Sequence, residues 1–321
     1  MQKELEQVRD NIARVIMGKN DVIELLLIAL LARGHVLFDD VPGVGKTRMA
    51  ASLARSLGVN FSRVQFTPDL QPADITGLYY YNQKENEFEL RLGPAHTNIL
   101  LADEINRAVP RTQASLMEVM EERQITIEGE THQLQEPFLV VATQNPVELE
   151  GTFPLPEAQL DRFLFRLKVG YPEAEEEKDI LRNYRQQDPF FELEDVLTRE
   201  KIVDLQKEAE NVKVNEPIIE YITDLVRTTR DDNRVKLGLS PRATLAIMRA
   251  ARARALLYQR DYVIPDDVQI IFPWTAAHRL IIKEETSVRG VEAEDIIEEV
   301  LAEVEVPVEE EGGRQISEQT S

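Results

Sequence analysis

The stretch Val36-Leu37-Phe38-Asp39-Asp40-Val41-Pro42-Gly43-Val44-Gly45-Lys46-Thr47 decides the fold of this 321-residue chain. Its first three residues predict a short apolar strand, and a helical pattern over 46–57 follows. Glycines between a strand and a helix let successive backbone N–H groups turn inward, and the helix N-terminus adds partial positive charge. The stretch therefore predicts a loop that cradles phosphate groups.

The side chains of this loop suit a nucleoside triphosphate with Mg²⁺. Lys46 supplies a positive charge for the β- and γ-phosphates, and the Thr47 hydroxyl suits the metal. The pattern G-x-x-x-x-G-K-[ST] fails only at its first position, where Asp40 brings a negative charge unless its carboxylate turns away. A dinucleotide-binding pattern would need glycine or alanine in place of Arg48. A glycine-rich turn with no ligand is the alternative. The candidate phosphate-binding residues are Gly43, Val44, Gly45, Lys46, Thr47 and Arg48.

An acidic pair follows a second apolar strand, Ile99-Leu100-Leu101-Ala102. Asp103 would hold Mg²⁺ through its waters. Glu104 would orient and deprotonate an attacking water. Such a pair after a strand often only begins a loop, but its combination with the phosphate loop favours catalysis.

The remaining pattern predicts an α/β fold. Apolar strands near 64–66, 138–142 and 163–169 alternate with helices, which is typical of a parallel sheet covered on both faces. The stretches 78–92 and 125–134 predict two additional β-hairpins. We therefore expect a nucleotide-binding domain over 1–172.

Beyond residue 172 the sequence predicts only helices and a tail. A smaller all-helical lid domain is expected over 173–307, and an acidic, disordered tail over 308–321. The predicted helices of the lid are 175–187, 199–210, 216–230, 241–258, 266–279 and 294–302.

Composition excludes several classes of protein. With 37 basic and 58 acidic residues, the net charge of −21 disfavours a nucleic-acid coat protein. There is no cysteine, and the four histidines lack metal-ligand spacing, so we expect no zinc site. The longest apolar run, 22–32, is too short for the roughly 20 residues of a membrane span and predicts a buried helix. The first residues lack the apolar segment of a signal peptide, and we expect a cytoplasmic protein.

With both motifs in place, the chain resembles the MoxR family of AAA+ ATPases over about 15–307. The resemblance is carried by 40–47, by 101–113 (LADEINRAVPRTQ), by 141–164 (VATQNPVELEGTFPLPEAQLDRFL) and by 238–243 (GLSPRA). It implies a P-loop NTPase core with a lid, Mg²⁺-dependent ATP hydrolysis and a homo-oligomeric ring, expected to be a hexamer. It also implies chaperone-like remodelling of a protein client, together with a protein that carries a von Willebrand factor A domain.

The resemblance assigns roles to three further polar residues. Asn145 resembles sensor 1, which positions the attacking water, although Asn-Pro is also an ordinary turn initiator. Arg162 resembles the arginine finger that stabilises transition-state charge in trans. Arg166 is its rival, and a surface ion pair with Asp161 or Glu157 is the alternative role for Arg162.

Arg242 resembles sensor 2. Ser240 suits an N-cap and Pro241 a first helical position, which places Arg242 in the first turn. Helical side chains lean toward the N-terminus, so we expect its guanidinium to point toward the nucleotide cleft.

Two other assignments follow from the resemblance. The segment that contains Ile16, Met17 and Gly18 resembles the apolar contact to adenine, although a helix C-cap at Gly18 is equally compatible. The two hairpins resemble inserts that face the central pore of related hexamers. Tyrosines 79–81 could grip a client there or simply cover the sheet edge.

Three functions remain open at this stage: a protein-remodelling motor, a nucleotide-controlled binding switch and a nucleic-acid motor. The acidic hairpin tip Glu128-Gly129-Glu130 disfavours the third, because a hairpin that grips nucleic acid needs basic side chains.

Overall fold

The computed structural model describes residues 3–147, 151–185 and 187–307. The predicted acidic tail over 308–321 lies outside the described residues. The helices are α1 Lys3–Ala13, α2 Asn20–Leu31, α3 Lys46–Ser56, α4 Pro72–Thr76, α5 Pro110–Glu122, α6 Glu157–Leu160, α7 Ala174–Asn183, α8 Arg199–Glu210, α9 Glu216–Asp231, α10 Pro241–Leu257, α11 Pro265–Ala276, α12 Glu284–Ser287 and α13 Ala293–Glu303. The strands are β1 Val36–Asp39, β2 Phe61–Gln65, β3 Gly77–Asn82, β4 Glu87–Leu92, β5 Ile99–Asp103, β6 Gln124–Ile127, β7 Glu130–Gln133, β8 Leu139–Gln144, β9 Phe165–Leu167, β10 Val235–Leu237 and β11 Ile281–Ile282.

A five-stranded parallel sheet with the order β2-β5-β8-β1-β9 forms the centre of the chain. Strands β1 and β5 are buried along their whole length, as expected for apolar strands covered by helices on both faces. This confirms the predicted α/β fold. All five strands run in one direction, so the sheet has a carboxyl edge, where the strands end, and an amino edge, where they begin. The phosphate loop follows β1, and the acidic pair ends β5, so both lie on the carboxyl edge.

Two antiparallel hairpins stand apart from this sheet. In the first hairpin, Gly77 of β3 lies opposite Leu92 of β4 at one end, and Asn82 lies opposite Glu87 at the other. In the second hairpin, β6 pairs with β7 around a turn at Gly129. The Tyr79 hydroxyl donates to Glu130 Oε2 at 2.6 Å, which ties the first hairpin to the tip of the second. The Phe88 ring stays 70% exposed, so the first hairpin presents an aromatic side chain to solvent.

From α7 onward the chain is mainly helical and packs against the first half. One apolar cluster continues from α1 and α2 through the sheet into α8, α9, α10 and α11. The Gln206 side chain donates to the Leu30 carbonyl at 2.6 Å across this contact. Within the described residues, no helix is long and apolar enough to cross a membrane.

The expectation that the second half is all-helical is wrong in one detail. Strands β10 and β11 form a small antiparallel pair, with Val235 opposite Ile282. The two strands contain three and two residues, which is too short to show an alternating pattern in sequence. They also lie more than forty positions apart, so only tertiary packing brings them together.

Candidate nucleotide site

The phosphate loop depends on two glycines in the left-handed region. Gly43 has φ +87° and Gly45 has φ +94°, a conformation that side-chain-bearing residues rarely adopt. A Cβ at Gly43 would meet no atom within 4 Å, so the backbone conformation, rather than crowding, requires glycine there. Gly45 is the N-cap of α3, which leaves the first N–H groups of that helix at the loop. This is the geometry that anion binding at a helix N-terminus needs.

Lys46 is held inside the loop. Its side chain is buried, and its Nζ donates to the carbonyls of Asp40 at 2.6 Å and Val41 at 3.0 Å. Burial lowers the pKa of Lys46, and the carboxylates of Asp40 and Asp103 oppose that shift. The ammonium group is therefore fixed against the loop backbone beside its glycines.

The carboxylate of Asp40 turns away from the loop. Its Oδ2 accepts hydrogen bonds from the backbone N–H groups of Val169 at 2.7 Å and Gly170 at 2.6 Å. Its Oδ1 accepts from Val41 N–H at 2.7 Å. Asp40, the residue that departs from the phosphate-loop pattern, thus connects the loop to the segment that follows β9. Its negative charge is stabilised by these N–H groups.

The acidic pair is held by Thr143 on the neighbouring strand β8. The Thr143 hydroxyl donates to Asp103 Oδ1 at 2.6 Å and accepts from the Glu104 N–H at 2.8 Å. Glu104 has φ +57°, an uncommon conformation for glutamate that costs about 1–3 kcal/mol and is typical of functional sites. The Glu104 side chain is 27% exposed, whereas that of Asp103 is 12% exposed. The two adjacent carboxylates therefore have different surroundings, which suits different roles.

Strand β2 contributes two polar side chains that the sequence analysis did not select. Arg63 Nη2 donates to Asp103 Oδ2 at 2.7 Å, and Gln65 Nε2 donates to Glu104 Oε2 at 2.7 Å. Arg107 also lies 3.1 Å from Glu104 Oε2. Positions 63 and 65 share one face of a strand, which is a visible signal, but the neighbour of β2 in the sheet could not be read from the sequence.

Asn145 follows β8 on the same edge of the sheet. Its Oδ1 accepts from the Val147 N–H at 3.1 Å, and its carbonyl accepts from the Asn106 side chain at 3.5 Å. The side chain therefore initiates a turn, as the Asn-Pro interpretation predicted. Because β8 pairs with both β1 and β5, Asn145 also lies beside the ends of these two strands.

A cavity of about 260 Å³ adjoins the phosphate loop. One wall comes from the segment that precedes α2, another from the loop itself and a third from α7. Its lining residues include Val15, Ile16, Met17, Gly43, Val44, Gly45, Arg48, Ile180 and Tyr184. A mainly apolar pocket beside a phosphate cradle suits a nucleobase.

Of two further predicted residues, Gly18 lies between Met17 and Lys19, which line this cavity, and Arg48 lines it directly. Gly18 has φ +71°, a conformation that favours glycine, whereas a Cβ there would meet only the end of the flexible Glu176 side chain. The Arg48 guanidinium forms an ion pair with Asp188 and lies over the Phe190 ring at 5.0 Å. Arg48 thus connects the helix after the phosphate loop to the helical half of the chain.

The predicted arginines lie on the opposite, amino edge of the sheet. Arg162 and Arg242 both donate to the Glu121 carboxylate, at 2.8 Å each. Glu121 lies at this edge because the carbonyl of its neighbour Met120 is 3.1 Å from Nε2 of His35, the residue that precedes β1. The expectation that Arg242 points toward the nucleotide cleft of its own chain is therefore wrong. The N-terminus of α10 is oriented toward the amino edge, so the side chain leans toward Glu121.

The alternative partners of Arg162 are also resolved by this geometry. Arg162 pairs with Glu121 instead of with Asp161 or Glu157. Asp161 pairs with Arg279. The rival arginine, Arg166, forms an ion pair with Asp39, a buried carboxylate in β1.

Comparisons with known proteins agree with this architecture. Residues 35–165 match the ATPase family associated with various cellular activities (AAA), and residues 227–300 match the AAA lid domain. The chain is 44% identical to Chaperone MoxR1 of Mycobacterium tuberculosis, covering 94% of this chain and 82% of the relative. It is 53% identical to the uncharacterized protein YeaC of Bacillus subtilis, with 94% of each chain covered.

A solved structure shows the same fold. The crystal structure of a candidate ATPase from Cytophaga hutchinsonii superposes with a TM-score of 0.89 at 36% identity, covering 95% of this chain and 96% of that one. Together, the site and these similarities define a P-loop ATPase of the AAA+ class. The chain belongs to the MoxR family of AAA+ ATPases.

Proposed function

We propose that the carboxyl edge is the site of Mg²⁺-dependent ATP hydrolysis. The observation that carries the proposal is the placement of Lys46, Asp103 and Glu104 on one edge of the sheet, after β1 and β5, which both pair with β8. Glu104 is also held in a strained conformation. The residues fit the implied cofactor, because the Thr47 hydroxyl and the Asp103 carboxylate offer the hard oxygen ligands that Mg²⁺ prefers. Mg²⁺, when bound, would neutralise charge on the β- and γ-phosphates.

The residues of the chain divide the work of hydrolysis. The N–H groups at Gly43–Gly45 and the Lys46 ammonium bind the phosphates. Glu104 accepts a proton from the attacking water, a role that needs a carboxylate within hydrogen-bond reach of that water. The apolar wall formed by Ile16 and Met17 takes the base.

Two variants separate binding from turnover. Glu104→Gln keeps the shape of the side chain and removes the base, so ATP binding should persist while hydrolysis falls by about 10²–10⁴-fold. Lys46→Ala should lose binding itself. Glu118→Gln, an exposed carboxylate on α5, is the matched control and should hydrolyse like the wild type. Wild-type turnover by Glu104→Gln would refute the catalytic assignment.

We further propose a homo-oligomeric ring, most simply a hexamer. The separation of Arg162 and Arg242 from the phosphate loop supports it, because these arginines cannot reach the nucleotide of their own subunit from the amino edge. A mixture of Arg162→Ala and Lys46→Ala subunits should regain part of the ATPase activity that each lacks alone. Full activity of a monomer, established by sedimentation and turnover on one sample, would contradict the ring.

The substrate of the motor is proposed to be a protein, handled in the cytoplasm together with a von Willebrand factor A-domain partner. The name of the relative Chaperone MoxR1 and the acidic hairpin tip at Glu128 and Glu130 support a protein over nucleic acid. Capture from the native host with the Glu104→Gln variant under ATP tests this. ATP-dependent recovery of such a partner is expected, whereas salt-sensitive recovery of nucleic acid would favour a nucleic-acid motor. A binding switch would instead show partner capture with very slow turnover.

A further inference from the structure

Arg63 forms hydrogen bonds with the Asp103 carboxylate, the group that is expected to face the metal. Its Nε and Nη2 donate to the same oxygen of Asp103, Oδ2, at 3.1 and 2.7 Å. A carboxylate oxygen offers about two lone-pair sites, so Arg63 uses both of those on Oδ2. Thr143 takes part of the capacity of Oδ1. In the free chain, little of the Asp103 carboxylate is therefore left to accept hydrogen bonds from metal-bound water.

We infer that Arg63 is a positioning residue that acts as an internal substitute for the cation at Asp103, and that the binding of Mg²⁺–nucleotide displaces it. The inference rests on the proposed function. The positive guanidinium stabilises a carboxylate that is only 12% exposed and would otherwise lack a counter-charge on this side. Two positive charges cannot share one carboxylate oxygen at full strength, so Arg63 and the cation compete.

Displacement of Arg63 is feasible because the residue lies on the edge strand β2. Its side chain is 48% exposed, and beyond Asp103 it contacts only one further hydrogen-bond partner that the structure describes, Gln65 Oε1 at 3.0 Å. Because about half of the side chain is exposed at the edge of the sheet, the guanidinium can move into solvent. A partly exposed ion pair of this kind is weak, which suits a contact that must open.

The same movement reaches Glu104. Arg63 donates to the amide oxygen of Gln65, and this orients the amide so that its NH₂ group faces Glu104 Oε2 at 2.7 Å. Asp103, Arg63, Gln65 and Glu104 thus form one continuous chain of hydrogen bonds. When Arg63 leaves Asp103, Gln65 loses the contact that fixes its orientation. Its hold on Glu104 weakens, which leaves the 3.1 Å ion pair with Arg107 at Oε2. Arg63 therefore couples the occupation of Asp103 to the position of the proposed base.

Binding of a non-hydrolysable imido analogue of ATP tests this, titrated with Mg²⁺ and followed by calorimetry. Arg63→Gln should lower the Mg²⁺ concentration that gives half-maximal binding by about 3–10-fold, because a competing charge is gone. Arg63→Lys keeps the charge but not the two-pronged contact, so its half-saturating Mg²⁺ concentration should lie between those of the wild type and Arg63→Gln. Arg289→Gln removes an exposed charge remote from the site and should match the wild type.

Thermal unfolding of each variant checks that it is folded. A half-saturating Mg²⁺ concentration that stays unchanged or rises in folded Arg63→Gln would overturn the inference. A second experiment starts from the Asp103→Asn variant. Adding Arg63→Gln to this variant should no longer shift the Mg²⁺ dependence of binding. A shift that persists would also overturn the inference. If the wild type shows no Mg²⁺-dependent binding of the analogue, the proposed function fails instead, so the two failures are distinguishable.

Discussion

Acidification should destabilise the folded chain through His35. This residue precedes β1 at the amino edge and is 4% exposed. Its Nδ1 accepts from the Val140 N–H at 3.0 Å, which leaves Nε2–H to donate to the Met120 carbonyl at 3.1 Å. Burial lowers the pKa of His35 from 6.5 to about 3, although the Met120 carbonyl opposes the shift. The fold therefore requires the neutral imidazole.

The magnitude follows from the difference between the folded and unfolded pKa values. The folded pKa lies below the unfolded value of about 6.5, so the unfolded chain takes up the proton first. The contribution of His35 is fully present above that pH and is lost as the pH falls toward 3. It amounts to about 2 kcal/mol of unfolding free energy lost by pH 5, and about 4 kcal/mol near pH 3.

Urea unfolding at several pH values, followed by circular dichroism, measures this loss. His35→Leu removes the titrating group, so the dependence of unfolding free energy on pH between 5 and 6 should weaken by about 1.2 kcal/mol per pH unit relative to wild type. The variant is also less stable at pH 7, because the Val140 N–H and Met120 carbonyl lose their partner. His278, whose pKa burial also lowers, keeps its own share of the pH dependence. Equal slopes for both proteins would refute the reasoning.

Three other substitutions address the loop, the cavity and the helical half. Asp40→Asn should lower the unfolding free energy by about 1–3 kcal/mol but change ATP affinity by less than about threefold, because the carboxylate faces Val169 and Gly170. A large loss of affinity in calorimetric titration would contradict this. Tyr184→Ala removes one wall of the cavity and should weaken ATP binding about tenfold, whereas Tyr184→Phe should not, as measured by calorimetric titration. Asp267→Ala should cost about 3–5 kcal/mol in urea unfolding, because a fully buried carboxylate that pairs with two arginines is removed.

The phosphate loop and acidic pair could be predicted from sequence because each is defined locally. A strand, a glycine pair and a helix determine the position of Lys46, and an apolar strand determines where Asp103 and Glu104 begin. Parallel strands end at one edge, so the two motifs had to meet once the α/β pattern was recognised. The observed order of strands confirms that reasoning for the fold.

The orientation of Arg242 could not be predicted in the same way. Its N-cap, Ser240, indicates that the side chain leans toward the start of α10, and the Ser240 hydroxyl does accept from the Ala243 N–H. A cap fixes direction along the helix itself, but it carries no information about which surface the helix end faces. That depends on the packing of α10 against α2 and α8, which brings Arg242 to Glu121.

The residues missed by sequence analysis share a physical cause. A chain without nucleotide must still satisfy charges that are placed for a ligand, because an unpaired charge near the interior is costly. Arg63 supplies positive charge at Asp103, and Glu121 supplies negative charge between Arg162 and Arg242. A motif identifies the group that binds a ligand, whereas its internal counter-charge comes from whichever side chain the fold places within reach. Edge-strand residues such as Arg63 are suited to this role, since they reach the site from solvent and can leave it again.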